Sequence, residues 1–172
     1  LAFGVLMVEF PFLPRQLSVT DGLTIGIPAF FLALLPNARR YEPGFLRRSL
    51  SFAIPAGIVI AMGITTIAVV SRGLGVSIEE ERTGTTLALA LVGLAVLVSR
   101  STPFTWIKGA IVAAMIVGLV LVFSVPFARD FLLLVPLSGP VTLVVALVTA
   151  ATIAAIAAIH VVHSRATRKP PE

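Results

Sequence analysis

Five apolar runs, each close to the length of a membrane crossing and separated by short links, leave this chain few ways to fold. Ser51–Val70 and Val141–Val162 are free of charge, and Ile107–Val125 carries one charge, Lys108, at its start. Thr85–Val98 reaches the same class when it is taken from Arg82 to Ser99, and Leu17–Leu35 is apolar or small at nearly every position. About 20 helical residues cross the roughly 30 Å hydrocarbon core of a bilayer. The composition is 58% hydrophobic and 12% charged, whereas soluble domains carry roughly a quarter charged residues. Too little polar surface exists here to cover a soluble globule. The expectation is an all-α integral membrane bundle: an interrupted helix over 17–35, four spans within 51–162, and a tail over 163–172. Leu1–Leu13 is apolar but lacks the basic start and small-residue cleavage site of a signal peptide, and reads as the end of a truncated helix.

The net charge of +5 would suggest nucleic acid in a soluble protein. Here the basic residues fall in short links, so a nucleic-acid partner is not expected. Nine of the thirteen Lys and Arg lie in one alternate set of links: Arg39, Arg40, Arg47 and Arg48, then Arg100 and Lys108, then Arg165, Arg168 and Lys169. The other set holds Arg15, Arg72, Arg82 and Arg129 beside Glu79, Glu80, Glu81 and Asp130. Basic residues concentrate on the cytosolic side of membrane proteins, which assigns the NARRYEPGFLRR loop and the C-terminus to the cytosol. With no cysteine in the chain, disulfides and thiolate metal sites are excluded.

Small residues recur every fourth position in three spans: Ala53, Gly57 and Ala61; Ala110, Ala114 and Gly118; and Ala146, Ala150, Ala154 and Ala158. Such stripes let helices approach closely where lipid offers no hydrophobic drive to associate. They predict packing seams and say nothing about chemistry.

One span contains a contradiction. In PRQLSVTDGLTIGIPAFFLALLPN, Pro14 to Asn37, a carboxylate (Asp21) stands inside the apolar run, followed by Gly22, Thr24, Gly26 and Pro28. A charge at that depth costs several kcal/mol, and Gly and Pro weaken the helix that shields its own backbone. Irregular backbone at membrane depth is tolerated where protein or a water-filled cavity receives it, and transporters use broken helices to present carbonyl oxygens to a bound ion. A hard cation takes carboxylate, hydroxyl and carbonyl oxygens. Asp21, Thr24 (three residues on, sharing a face) and backbone unwound at Gly22, Gly26 and Pro28 would supply all three. The alternative is a structural Asp21 bonded to an inward hydroxyl such as Thr65 or Thr66, with Gly and Pro as packing devices.

Other polar residues are plainer. Glu9 reads as a wetted interfacial carboxylate, His160 as a packing or interfacial residue, and Trp106 as a headgroup-level anchor. The Glu79–Arg82 cluster reads as a solvated loop. No Gly-rich phosphate loop, metal-spaced His pair or nucleophile triad is present, so these residues offer no means of hydrolysing a nucleotide.

The Pro14–Asn37 stretch resembles the sixth transmembrane helix of P-type cation ATPases of the calcium-pump type. Pro14, Gln16 and Leu17 match that family's Pro-x-Gln-Leu opening, and Gly26, Ile27, Pro28 and Ala29 match its Gly-Leu-Pro-Ala close. In this register Asp21 falls on the family's Asn, Thr24 on its Thr and Ile25 on its Asp. A second register, four residues away, sets Val19-Thr20-Asp21-Gly22-Leu23 on the family's Val-Thr-Asp-Gly-Leu. The two differ by about one helical turn, so Asp21 faces the site in both. The wording is most similar to a bacterial branch, the cation-transporting ATPase E group, associated with calcium uptake.

The resemblance implies the end of helix five through helix ten of a pump in a bacterial plasma membrane. It makes Asp21 the charged ligand, Thr24 a hydroxyl ligand, and Ca²⁺ the preferred cargo, with Mg²⁺, Mn²⁺ or protons as alternatives. ATP, its Mg²⁺ and the phosphorylated aspartate would belong to cytosolic parts of the same pump, leaving this segment inactive alone. The competing classes are a fragment of a secondary ion or proton transporter or channel, and a non-transporting scaffold. Transporters of the former kind often show internal repeats, and no second Asp-Gly-x-Thr-like break occurs in the later spans.

Overall fold

The computed structural model describes residues 10–34, 45–100 and 106–167. Glu9 and most of Leu1–Leu13, the greater part of the NARRYEPGFLRR loop, and the end of the tail lie outside them. The described backbone is helical: α1 (Pro14–Asp21), a π-helical turn (Gly22–Gly26), α2 (Ile27–Ala33), α3 (Phe45–Gly73), α4 (Ile78–Arg100), α5 (Trp106–Ser124), α6 (Pro126–Leu132) and α7 (Gly139–Thr167). Five stretches are long and apolar enough to cross a bilayer: Pro14–Ala33, Ser49–Gly73, Ile78–Ser99, Trp106–Ser124 and Gly139–Val161. This is an all-α integral membrane bundle.

Local chemistry sets the ends of these helices. Pro14 opens α1, where its missing N–H costs nothing, and the Gln16 side chain accepts a hydrogen bond from the Leu13 amide at 2.9 Å. Ser77 Oγ accepts from the Glu80 amide ahead of α4, whose first turn carries Glu79, Glu80 and Glu81 at the positive end of the helix dipole. Pro126 opens α6.

The packing makes α4 the hub. Some 44% of its apolar window is buried, against 17–22% for the other four spans. On one side Ala90, Leu94 and Leu97 meet Val112, Met115 and Leu119 of α5, with Leu23 and Leu32 against them. On the other, Ala88 joins Ile64 and Ile67 of α3 and Val141 and Val145 of α7, and Val92 joins Phe52, Ala56 and Ile156. These pairings fix directions: α1, α4 and α7 run the same way, while α3 and α5 run against them. The ends carrying Arg15, Arg72, Glu81 and Arg129 therefore gather on one side, as alternate crossings require.

Two expectations are corrected. Ala53, Gly57, Ala61, Ala110, Ala114, Ala146, Ala150, Ala154 and Ala158 are all exposed on the chain; Gly118, less exposed, lies against Leu23. The seams run along neighbouring faces, where branched and hydroxyl side chains fill the space more fully. Helices α3 and α7 come closest at Gly63, where any β-carbon would collide with the Thr152 hydroxyl.

Nor is Glu79–Arg82 a solvated loop. It is helical, and Glu81 is only 2% exposed, gripped by the Arg72 guanidinium through Nε at 2.6 Å and a second nitrogen at 2.9 Å. Glu80 accepts from the Ser138 amide at 2.7 Å ahead of α7, and Thr83 Oγ1 accepts from the Val135 amide at 3.0 Å. Glu79 stays exposed, while Glu80, Glu81 and Thr83 join the helices together at this end. His160 packs edge-on against Phe52, and Trp106 stands almost fully exposed at the start of α5.

Candidate functional site: a carboxylate beside a π turn

The span from Pro14 to Ala33 remains helical throughout. The interruption anticipated at Gly22, Gly26 and Pro28 takes the form of one widened turn, in which the Ile27 amide donates to the Gly22 carbonyl five residues back. The cause lies in Pro28. In an α-helix its ring would press on the carbonyl four residues earlier, and it has no N–H to donate. Widening the turn relieves the clash and keeps most backbone bonds, so helix is retained where an extended break was expected. Pro28 still cannot supply the hydrogen that a carbonyl one turn before it would receive. Turns of this kind are often found at functional sites. A β-carbon on Gly22 would meet nothing within 4 Å, and one on Gly26 only the Asp21 carbonyl oxygen at 3.8 Å, so no close neighbour demands either glycine.

Beside this turn lies a cavity of about 670 Å³, walled by α1, the π turn, α2, Ile60 of α3 and the Leu89–Leu97 face of α4. Its lining is mostly apolar, with Ser18, Thr20, Asp21 and Thr24 as the polar members. Among the described residues Asp21 is the one charged member of the wall, and it is exposed. Among the described residues its side chain makes no hydrogen bond or ion pair. Thr66 instead donates to the Met62 carbonyl of its own helix at 2.8 Å, so the Asp21–Thr66 bond of the structural alternative is not formed.

Thr24 is buried and shares the cavity wall with Asp21. Its hydroxyl donates to the Thr20 carbonyl at 2.8 Å, and Ser18 donates to the Pro14 carbonyl at 3.0 Å. Each hydroxyl oxygen keeps lone pairs for a further partner. Among the described residues no group of three or more His, Asp or Glu converges. Asp21, Ser18, Thr20 and Thr24 are the polar residues on this wall.

Two residues matter here that were given no structural role from sequence. Gly93 of α4 faces Thr24, and a β-carbon on it would lie 2.8 Å from Thr24 Cβ and Cγ2. Gln16 is 1% exposed. A signal for Gln16 existed: Gln16, Thr20, Thr24 and Pro28 recur every fourth residue, and all four are buried. That polar stripe is the face of the helix that lies on α4. Since Gly93 touches Thr24 on its rigid side, Gly93→Ala is expected to destabilise the bundle by about 1–3 kcal/mol, the range for overpacking. Thermal unfolding of the purified protein checks this, and Thr24→Ser in the same background should restore part of the loss by removing the methyl group in conflict.

No family model matches the chain, and no solved structure does. Curated relatives do. The chain is 34% identical over 144 residues to a protein of Mycolicibacterium smegmatis named "Calcium-transporting ATPase CtpE", covering 81% of this chain and 18% of that protein. It is 38% identical over 129 residues to the protein of the same name from Mycobacterium bovis, covering 73% and 16% respectively. It is 28% identical over 96 residues to "Probable cation-transporting ATPase exp7" of Streptococcus pneumoniae, covering 56% and 12%. The chain thus spans less than a fifth of the length of the curated relatives it matches. Through these matches, over most of its own length, the chain belongs to the P-type cation-transporting ATPases.

Proposed function

We propose that this chain is the C-terminal membrane portion of an ATP-driven cation pump and contributes Asp21 and Thr24 to the intramembrane ion site. One observation carries the reading. An Asp21 side chain without a protein partner among the described residues lines a cavity beside a π turn, inside a span whose relatives bear the names of cation-transporting ATPases. A lone carboxylate at membrane depth is costly, and a cation offsets that cost directly. Gly22, Gly26 and Pro28 are the residues that let this helix widen and, in another state of the pump, open further. Calcium is the preferred cargo, on hard-oxygen chemistry and on the relatives' names. ATP, its Mg²⁺ and the phosphorylated aspartate are assigned to the cytosolic parts of the pump, and the C-terminus to the cytosolic side of the plasma membrane. The remaining ion ligands come from membrane helices elsewhere in the pump.

The test is phosphorylation of the intact pump at fixed Mg-ATP. Acid-stable phosphoprotein is expected to rise when calcium is added and to fall with a calcium chelator. A level that ignores calcium and follows Mn²⁺ or pH reassigns the ion. A level that ignores every cation removes the pump reading.

A further inference from the structure

We infer that Gln16 is a positioning residue that sets the register of the ion-site helix against α4 and so fixes where Asp21 meets the cavity; this rests on the role proposed for Asp21. Gln16 is 1% exposed, among the most deeply buried polar side chains described. Its Nε2 donates to the Leu132 carbonyl at 2.9 Å, and its Oε1 accepts from the Leu13 amide at 2.9 Å and, more weakly, from Thr86 Oγ1 at 3.4 Å. Leu132 closes α6, and Leu13 stands at the N-cap of α1. Groups at such helix ends have no partner within their own helix. One carboxamide therefore satisfies a carbonyl of one helix and an amide of another while touching α4.

The chemistry is specific to Gln. The Leu132 carbonyl needs a donor and the Leu13 amide needs an acceptor, at the same buried point. A carboxylate offers only acceptors and an aliphatic chain neither. The neighbouring Thr85 hydroxyl lies 2.9 Å from the Pro11 carbonyl, sharing its one proton with the Glu81 and Arg82 carbonyls of its own helix at 3.0 and 3.1 Å, and so brings the incoming backbone against the same turn of α4.

The consequence for Asp21 follows from helix geometry. Along the buried face, contact with α4 is made at Gln16–Thr86 and again at Thr24–Gly93. Asp21 lies between those two points, five residues or about 7.5 Å beyond Gln16. A register shift of one residue would swing its carboxylate by about 100°, off the cavity wall. The two contacts differ in kind. Gln16 meets Thr86 of α4 only at 3.4 Å but is itself fixed by directional bonds at 2.9 Å to Leu132 and Leu13, whereas the contact at Gly93 is a close approach alone, next to the turn that Pro28 has already widened. Gln16 thus holds the end of the helix that stays in place, and movement is left to the part beyond Asp21.

The experiment measures calcium-dependent phosphorylation of the intact pump carrying Gln16→Met or Gln16→Glu. Half-saturating calcium is expected to rise about tenfold, the effect of losing roughly 1.4 kcal/mol, with the maximal phosphoprotein level kept near wild type at saturating calcium. A purely structural Gln16 would instead lower the amount of folded protein and the maximum while leaving half-saturation in place, and that outcome overturns the inference. Thr86→Val, which removes one hydroxyl at constant volume, should shift half-saturation in the same direction by a smaller factor. It decides the matter if the Gln16 variants do not accumulate, because an unmoved value overturns the inference. A wild type that responds to no cation overturns the pump reading and this inference together. A responsive wild type with unshifted variants overturns this inference alone.

Discussion

Asp21→Asn in the intact pump is expected to raise half-saturating calcium by on the order of a hundredfold or more, in keeping with the strong dependence of calcium affinity on ligand charge. It should leave the fold intact. The two halves of this expectation come from different observations. Affinity should fall because, among the described residues, Asp21 is the one charged group on the wall of the cavity beside the π turn. Stability should hold because the side chain is exposed and, among the described residues, makes no hydrogen bond or ion pair that Asn would lose; substitutions away from such features stay within about 0.5 kcal/mol.

A structural aspartate predicts the reverse pattern: lower stability with calcium response unchanged. Asp21→Glu separates charge from position. It keeps the carboxylate and moves it outward by one methylene, so it should recover part of the affinity lost in Asn. Equal losses in both variants would mean that the cavity distinguishes ligand placement as sharply as charge. Wild-type calcium response in Asp21→Asn would remove this residue from the site.

Much of the architecture was legible because bilayer chemistry admits so few solutions. Run length and charge alone gave five crossings, and the described residues hold five helices of the required length and composition. The seams were not legible. Ala146, Ala150, Ala154 and Ala158 form the more regular pattern on α7, yet the face that packs carries Val141, Val145, Thr149, Thr152 and Ile156. A stripe of small residues shows that close approach is possible on that face, not that a helix lies there. The candidate site was half legible. An acidic residue inside an apolar run stands out without any structure, and so do Gly and Pro beside it. The sequence does not say whether Pro28 breaks the helix or widens one turn, because both relieve the same clash and the choice depends on how the helix is held. Gly93 is remote from Thr24 in sequence, and only the parallel packing of α1 on α4 brings them together.

The Glu79–Arg82 misreading has a similar origin and leads to the second large expected effect. Three acids and a base at a span end look solvated, because hydropathy registers charge and not its partners. In the structure Glu81 is 2% exposed while Arg72 is 30% exposed, and the pair closes the short link between α3 and α4 through two charge-assisted bonds. This asymmetry predicts which partner is harder to lose. Arg72→Met leaves the Glu81 carboxylate in its buried position without the guanidinium that compensates it, and should destabilise the protein by about 3–5 kcal/mol, the range for breaking a buried pair. Glu81→Leu leaves a guanidinium that is already 30% exposed and can turn further toward water, and should cost less than the Arg72 change. The double variant Arg72→Met/Glu81→Leu removes both charges and should recover most of the loss. Thermal unfolding of the three purified variants in one detergent checks the order. If Glu81→Leu proves the more damaging single change, the buried carboxylate is not the member that depends on its partner, and the pair stabilises this end by some means other than charge compensation.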